Sequence, residues 1–463
     1  MLKRVLIANR GEIALRIFRA CRESGIETVA VYSQADAEAL HVQLAGQAVC
    51  IGPAPAAESY LNQNALLAVA RATGCDGIHP GYGFLSENAD FADACAAAGL
   101  TFIGPSGEAI RKAGSKSAAR DLMRKAGVPV TPGSDGPVSS VEEALAVAEQ
   151  VGYPVFLKAS AGGGGRGIRR CDEPGQLPAA YSQAKAEAMA CFGNDELYLE
   201  KLVLEPRHIE FQVLADRHGN VIHLGDRDCS IQRRNQKLIE EAPAKCLSPQ
   251  LREKMGEAAV KAVKAVGYEN AGTVEFLLDS DGEHFYFMEM NTRIQVEHGI
   301  TELITGLDLV REQLRIASGL PLDIRQEDVL FSGHAIECRI NAEDPRQDFR
   351  PDPGKVEFVH FPGGNGVRVD SCLYNGCTLS PYYDSMAAKI LVHAPTRLEA
   401  IRRMRRSLEE FALEGFATNA ELSYQILYHP TFIRGACTTG FLDENMPQLL
   451  DFNRRIDQEE EAD

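Results

Sequence analysis

A period-two alternation of polar and apolar residues dominates the segment MEMNTRIQVEH, Met288 to His298. Side chains at positions i and i+2 leave the same face of a β-strand, so a strand here has one polar face and one packing face. The polar set combines carboxylates, amides and a guanidinium: Glu289, Asn291, Arg293, Gln295 and Glu297. A simpler interpretation is an amphipathic edge strand, but the solvated face of such a strand usually consists mainly of Lys and Glu. The mixture indicates a chemical site.

The length of this segment limits what one ligand can touch. Fully extended, Glu289 to Glu297 would span about 26 Å at the rise per residue of a strand. Either the chain bends after Arg293, or the strand serves adjacent sub-sites. Those sub-sites would be a metal near Glu289 and a small anion near Arg293 and Glu297.

The preceding residues predict a partner strand. GTVEFLLD from Gly272 and HFYFMEM from His284 are strand-like, and the turn signal Ser-Asp-Gly ending at Gly282 separates them. The resulting hairpin places Glu275 opposite Glu289, where two carboxylates repel unless a cation lies between them. Magnesium prefers such oxygen ligands, and Asn291 is a possible further donor. The alternative is a pair of solvated edge glutamates.

A glycine-rich loop is the second functional signal. The strand-like run YPVFLKA leads through Ser160 and Ala161 into four glycines, 162–165, then Arg166 and Gly167. Without Cβ atoms, backbone N–H groups in such a loop can approach phosphate oxygens, and Lys158 at the end of the strand adds a positive charge. The loop lacks the GK[ST] of a Walker A loop, and no dinucleotide fingerprint follows the first strand. The alternative is a flexible hairpin tip.

Composition limits the class of protein. The 463 residues, 45% of them hydrophobic, can fill roughly two to four domains. A net charge of −17 argues against nucleic acid or an anionic membrane as the main partner. Twelve cysteines without CxxC pairs, no long apolar run and no signal-peptide pattern favour a reduced, cytoplasmic protein. The acidic end, 447–463, is expected to be disordered.

Hydrophobic periodicity predicts an α/β protein. LKRVLIAN, NRGEIALRIFRACRESG and TVAVYS predict a strand, a helix ending at Gly25 and a second strand, which open an α/β unit. A second unit begins near residue 115 and contains more strands than crossover helices. Beyond a helix over 308–318, HAIECRI, KVEFVHF and VRVDSCL predict strands, and a helix follows over 398–413.

Five long motifs in order closely resemble biotin carboxylase: HPGYGFLSEN, KASAGGGGRG, EKLVLEPRHIEFQVLAD, MEMNTRIQVEH and ECRINAED. The resemblance runs from residue 1 to about 446. It implies an ATP-grasp fold, preceded by an open Rossmann-like α/β domain and followed by a C-terminal α/β domain. The implied domains are the Rossmann-like domain over 1–114, the ATP-grasp domain over 115–330 and the C-terminal domain over 331–446. The ATP-grasp domain would carry a glycine-rich lid over about 130–203.

The resemblance also implies ATP-dependent carboxylation of biotin by bicarbonate through carboxyphosphate. The implied nucleotide and phosphate contacts are Lys116, Lys158, Gly164, Gly165, Glu200, Lys201, Leu202, Val203, His208, Gln232, Asn235, Glu275 and Leu277. Two magnesium ions, or manganese, would be held by Glu275, Glu289 and Asn291. This metal set agrees with the hairpin argument.

The bicarbonate and biotin contacts follow from the same resemblance. Bicarbonate would be held by Lys237, Arg293, Gln295 and the Val296 backbone, with Glu297 as general base. Arg339 would stabilise the enolate-like biotin oxygen, and Tyr82 is similar to a biotin contact. Without the resemblance, a salt bridge from Arg339 to Glu337, on the same strand face, is the simpler interpretation.

Two positions depart from the family pattern. Asn235 stands where many members carry a histidine that meets the ribose, so weaker nucleotide binding is expected but not its loss. Gly299 stands where proline is common, and we expect a looser loop after Glu297.

Partners are implied as well. The chain lacks the Met-Lys-Met run of a biotinylated carrier, so a biotin carboxyl carrier protein and a carboxyltransferase are expected on other chains. The family suggests that the chain forms a homodimer. It also suggests that the chain is most often part of an acetyl-CoA carboxylase, whose carboxyl acceptor is acetyl-CoA, with propionyl-CoA or pyruvate as alternative acceptors. Another ATP-grasp ligase would share Lys158, Glu275 and Glu289 but would not need HPGYGFLSEN or the Arg339 strand. A nucleotide-binding regulatory protein would be expected to lose Glu297 or a metal carboxylate.

Overall fold

The computed structural model describes residues 1–160 and 167–460, without the side chains of 116–117 and 452–460. The chain forms three consecutive regions, and buried apolar clusters connect the first region to the second and the second to the third. Gly164 and Gly165 therefore lie outside the described residues, as does the side chain of Lys116. Within the described ranges, no helix combines the length and apolar character needed to cross a membrane.

The N-terminal region alternates strands and helices around a five-stranded parallel sheet of order β3-β2-β1-β4-β5. Apolar residues on both faces of the sheet are buried, as expected for parallel strands covered by helices. This confirms the predicted α/β unit. Its elements are β1 (Arg4–Ile7), α1 (Gly11–Glu23), β2 (Glu27–Ser33), α2 (Leu40–Leu44), β3 (Gln47–Gly52), α3 (Gln63–Ala72), β4 (Gly77–His79), α4 (Ala89–Ala97), β5 (Thr101–Phe102) and α5 (Gly107–Gly114).

The central region contains a small antiparallel sheet of order β7-β6-β8, with its own core under two helices, and most of a large antiparallel sheet. Its elements are α6 (Lys116–Lys125), α7 (Val141–Val151), β6 (Val155–Ala159), β7 (Ile168–Cys171), α8 (Leu177–Phe192), β8 (Leu197–Lys201), β9 (Arg207–Ala215), β10 (Val221–Arg233), β11 (Gln236–Ala242), α9 (Pro249–Val266), β12 (Asn270–Leu278), β13 (Phe285–Asn291), α10 (His298–Thr305) and α11 (Leu309–Ala317). Strands outnumber crossover helices, as predicted.

The C-terminal region completes the large sheet, whose eight strands have the order β13-β12-β9-β10-β11-β14-β19-β18. Its elements are β14 (His334–Asn341), β15 (Glu343–Asp344), β16 (Arg350–Pro351), β17 (Phe358–His360), β18 (Val367–Ser371), β19 (Met386–Ala394), α12 (Arg397–Glu410), β20 (Ala412–Glu414), α13 (Ala420–Tyr428), α14 (Pro430–Arg434) and α15 (Phe441–Glu460). Because β11 pairs with β14, one continuous sheet joins the central and C-terminal regions.

Residues 447–460, within the range for which disorder was expected, belong to α15. Phe441, Leu442 and Leu449 are buried in the C-terminal core. The acidic composition of the last residues does not extend back to these apolar positions, so the first turns of the helix are anchored. Residues 461–463 lie outside the described residues.

A buried ion cluster joins the two regions where β11 meets β14. Glu241 accepts from Arg397 Nε at 2.6 Å and lies 2.9 Å from His334 Nε2. Burial alone would raise the pKa of Glu241, but the hydrogen bonds from His334 and Arg397 lower it to about 2.

We expect Glu241→Gln to lower the free energy of unfolding at pH 7 by about 3 kcal/mol, the value of the pKa difference between 4.5 and about 2. Because the pKa of Glu241 is lower in the folded protein than in the unfolded chain, the ionised carboxylate stabilises the fold at pH values above about 4.5. This stabilisation is lost as the pH falls from about 4.5 toward 2. Urea unfolding at pH 7 and at pH 2.5 measures the loss of stability. The exposed Glu27→Gln, which removes the partner of Arg4, is the control. Equal loss at pH 7 and at pH 2.5 would contradict the assignment.

Candidate active site

The hairpin predicted from the sequence is present. Strands β12 and β13 pair in antiparallel fashion, with Glu275 directly opposite Glu289. Glu275 is buried and Glu289 is half-buried. The solvated-edge interpretation is therefore wrong for Glu275.

The period-two strand ends earlier than its sequence pattern. β13 stops at Asn291, before Arg293, and residues 292–297 form a loop that leads into α10. The polar residues after Asn291 therefore lie on a loop and not on a strand face, and Gln295 and Glu297 are buried. The loop is held by Glu87, whose carboxylate accepts from the Thr292 backbone and from Arg293 Nε, both at 3.0 Å.

Lys237 lies at the centre of the site. Its ammonium donates to Glu210 at 2.6 Å, to Glu297 at 2.7 Å and to Glu275 at 3.0 Å. The continuous sheet explains the arrangement, because β9, β11 and β12 supply Glu210, Lys237 and Glu275. One ammonium therefore contacts three carboxylates from different parts of the sequence.

Arg339 reaches the same cluster from β14. Its Nε donates to Glu240 at 2.6 Å, and one of its terminal nitrogens donates to Glu297 at 2.9 Å. The simpler interpretation, a salt bridge to Glu337, is wrong, since both Glu337 oxygens lack a hydrogen-bond partner among the described residues. Burial raises the pKa of Glu337 well above its ordinary value.

Glu297 is held in its ionised form. Burial alone would raise its pKa, but Lys237, Arg339 and Arg227 hold the pKa well below its ordinary value. Burial has the opposite outcome at Glu240, where it raises the pKa to about 7 against the pull of Arg339. Glu297 is therefore in the unprotonated form that a general base requires at neutral pH.

An amide and guanidinium network completes the Glu275 side of the site. Asn291 and Gln295 each donate a side-chain N–H to the same Glu275 oxygen, at 2.9 and 3.0 Å. Arg293 donates to the Gln295 side chain at 2.7 Å and to Asn291 at 3.2 Å. The structure therefore brings these predicted residues together. His208 Nε2 lies 3.0 Å from the other Glu275 oxygen.

The predicted nucleotide contacts occupy the small sheet and the neighbouring strands. Lys158 on β6 donates to Glu200 on β8 at 2.6 Å. Lys201 instead turns toward α7 and donates to the Val151 carbonyl at 3.0 Å. Leu202 is half-buried, and Val203 is buried.

The other predicted nucleotide contacts lie on the large sheet. Leu277 on β12 pairs with His208 on β9, and Gln232 on β10 pairs with Lys237. Asn235 lies in the turn between β10 and β11 with a φ of 65°, a left-handed conformation that asparagine tolerates well. The turn gives a structural reason for an asparagine at this position.

A cavity of about 380 Å³ opens beside these charges. Its wall includes Lys237, Arg293, Val296 and Arg339, together with Tyr82 from the N-terminal region. The cavity can admit a small molecule to the groups around Glu297.

Three residues of the cluster were not predicted: Glu210, Arg227 and Glu240. Glu210 and Arg227 are fully buried, and Arg227 also bonds to Gln212, Thr301 and Thr273 at 2.8–3.1 Å. The alternation of His208, Glu210 and Gln212 on β9 has the same period of two as the MEMNTR segment and could have identified Glu210. Arg227 has no comparable signal in the sequence.

The donor set around Glu275 suits a hard divalent cation. Glu275, Glu289 and Asn291 offer carboxylate and amide oxygens from one hairpin. Two other groups of potential metal ligands, which share Glu210, surround the ammonium of Lys237. Lys237 supplies positive charge to both groups and also donates to Glu275 of the hairpin.

Comparison with known proteins identifies the family. Family profiles for the biotin carboxylase N-terminal domain, the carbamoyl-phosphate synthase L chain ATP-binding domain and the biotin carboxylase C-terminal domain match residues 1–110, 115–325 and 337–444. Biotin carboxylase 1 of Bacillus subtilis is 56% identical over 96% of this chain and 98% of its own. A pyruvate carboxylase subunit of Methanothermobacter thermautotrophicus is 53% identical over 96% of this chain and 90% of its own.

A solved structure from the same family is similar to this chain in both fold and sequence. The biotin carboxylase domain dimer of the Hydrogenobacter thermophilus 2-oxoglutarate carboxylase, in complex with MgADP, ADP and bicarbonate, has a TM-score of 0.90 and 50% identity, covering 97% of this chain and 98% of that one. With the fold, the cavity and the cluster around Glu297, these matches show that the chain belongs to the biotin carboxylase family.

Proposed function

We propose that this chain carboxylates carrier-bound biotin with bicarbonate and ATP, as the first half-reaction of an acetyl-CoA carboxylase. The observation that carries the proposal is the ionised Glu297 between Lys237 and Arg339 beside an open cavity. A relative at 53% identity belongs to a pyruvate carboxylase, so pyruvate is the second candidate acceptor. Propionyl-CoA is a third.

Bicarbonate activation is assigned to the loop 292–297. Arg293, Gln295, the Val296 backbone and Lys237 hold the anion, and Glu297 removes its proton. The bicarbonate oxygen then attacks the γ-phosphorus of ATP, ADP leaves, and carboxyphosphate forms. Lys116, Lys158, Gly164, Gly165 and His208 contact the phosphates. Glu200 to Val203, Gln232, Asn235 and Leu277 contact the rest of the nucleotide.

Carboxyl transfer follows in the cavity. The C–O bond of carboxyphosphate breaks to give CO2 and phosphate, and the phosphate takes the ureido proton of biotin. The ureido nitrogen then attacks CO2, while Arg339 stabilises the negative ureido oxygen and Tyr82 contacts biotin. Because Arg339 and Tyr82 both line the cavity, the two contacts can act on one molecule.

Glu275, Glu289 and Asn291 are assigned to two magnesium ions, with manganese as a substitute. Magnesium, when bound, neutralises the negative charge of the transferring phosphoryl group. These residues would hold the ions, and all three belong to the β12–β13 hairpin.

We expect Glu289→Gln to raise the magnesium concentration for half-maximal turnover on the order of 10-fold, because a charged ligand is lost. Magnesium titration of ATP turnover measures the change. Glu283→Gln, on the exposed turn of the same hairpin, is the matched control. An identical titration for Glu289→Gln and the unmodified protein would exclude Glu289 as a ligand.

We assign the domains to 1–114, 115–330 with a lid over about 130–203, and 331–446. The chain works as a cytoplasmic homodimer with a biotin carboxyl carrier protein and a carboxyltransferase on other chains. Twelve cysteines without a disulfide are compatible with a reducing compartment.

The test measures ATP turnover by the pure chain. We expect turnover to require bicarbonate, to rise slightly with free biotin, and to rise far more with a biotinylated carrier domain, because a tether raises the local concentration. Avidin blotting should find no biotin on the chain itself. Turnover indifferent to both forms of biotin would indicate another ATP-grasp ligase. Pairing the carboxylated carrier with acetyl-CoA, propionyl-CoA and pyruvate carboxyltransferases then identifies the acceptor.

A further inference from the structure

Lys389 is a fully buried lysine next to the site that has no role in the steps above. It lies on β19 directly opposite Arg339 on β14. Its ammonium donates to the Val296 carbonyl at 2.7 Å and lies 3.3 Å from Glu12 and 3.8 Å from Asp370. Val296 immediately precedes Glu297, so a residue of the C-terminal region fixes the backbone next to the proposed base.

Glu12 continues this contact into the N-terminal region. It lies in the first turn of α1, and the oxygen nearest Lys389 accepts a hydrogen bond from the Tyr82 hydroxyl. Its other oxygen is buried without a hydrogen-bond partner among the described residues. Glu12 and Tyr82 both line the cavity, so one carboxylate connects the cavity wall to Lys389.

Packing alone does not explain this arrangement. A buried ion pair costs several kcal/mol of desolvation, and apolar residues of similar volume often replace one without loss of stability. The hydrogen bond to Val296 gives the ammonium a specific task, because a misplacement of about 1 Å at a reacting group can cost 100-fold in rate.

We propose that Lys389, held by Glu12 and Asp370, is a positioning residue that fixes Val296 and thereby aligns Glu297 between Lys237 and Arg339. Through Glu12 the same contact joins Tyr82 to the bicarbonate segment. This inference rests on the proposed function, in which Glu297 is the base and the Val296 backbone holds bicarbonate.

The test replaces Lys389 with methionine, which keeps the length and removes the ammonium. We expect kcat to fall about 10-fold or more and the KM for bicarbonate to rise, while the ATP dissociation constant, measured by calorimetry, stays within about twofold. Arg252→Met is the matched control, because Arg252 also pairs with a buried carboxylate, Asp226, and donates to a backbone carbonyl, that of Ala244, away from the cavity. The control should lose stability but keep both kinetic constants.

A second variant keeps the proposal testable if Lys389→Met does not fold. Glu12→Gln preserves the volume and removes the charge, and a smaller change in the same two constants is expected. Unchanged kcat and bicarbonate KM in the folded variants would overturn the inference, as would losses that match those of Arg252→Met. If the unmodified protein lacks bicarbonate-dependent turnover, or Glu297→Gln retains it, the proposed function fails instead.

Discussion

Glu297→Gln is expected to lower bicarbonate-dependent ATP turnover by at least about 100-fold, the low end for loss of a general base. The amide has the size of the carboxylate, but its single oxygen can accept from only one of Lys237 and Arg339, which donate to different Glu297 oxygens, and it cannot take up the bicarbonate proton. ATP binding should persist, because the Lys158 and Glu200 pair belongs to the small sheet. Turnover and calorimetric ATP binding measure the two expectations separately.

Glu241→Gln is the matched control for this change. Glu241 is also a buried carboxylate of the large sheet between two basic side chains, but it faces His334 and Arg397. It should reduce stability and leave the turnover of the folded protein within about twofold. If Glu297→Gln turned over ATP at a near-normal rate with bicarbonate, Glu297 would not be the base.

The sequence predicted those parts of the site that depend on local pattern. The β12–β13 hairpin followed from two strand-like runs and the Ser-Asp-Gly turn ending at Gly282, and the register of Glu275 and Glu289 followed from the hairpin. The chain leaves the sheet at Asn291, two residues before the bend after Arg293 that was one of the two alternatives, because the alternation continues into residues outside the strand. Glu87, far away in sequence, holds that loop, and a local period cannot reveal such a partner.

The roles of Gly299 and Lys389 also depend on contacts with distant parts of the chain, which a local sequence pattern does not reveal. We expected Gly299 to loosen a loop, but it lies buried in the first turn of α10. A Cβ at this position would lie 2.4 Å from a Leu391 methyl carbon, so a larger residue requires Leu391 to move. The constraint comes from β19, far later in the chain, and is therefore invisible in the local sequence. Similarly, Lys389 carries no signal in sequence, because only the pairing of β14 with β19 brings it to Val296.

Lys237→Met should be the most damaging single change in the cluster. Without the ammonium, Glu210, Glu275 and Glu297 face one another with fewer cations, and breaking a buried pair costs about 3–5 kcal/mol of stability. We expect turnover to fall about 100- to 1,000-fold, the effect of removing one preorganised electrostatic group. Urea unfolding and ATP turnover measure these losses.

The pH dependence of the residual activity distinguishes this role from a general loss of structure. Lys237 is the largest of the charges that lower the pKa of Glu297, so its removal should raise that pKa. The base is then protonated at a higher pH, and the acid limb of the kcat/KM profile for bicarbonate should move upward, making the variant relatively more active at pH 8 than at pH 6. Lys245→Met removes an exposed lysine close by in the chain and should change neither rate nor profile. An acid limb that stays in place would mean that Lys237 does not control the ionisation of Glu297.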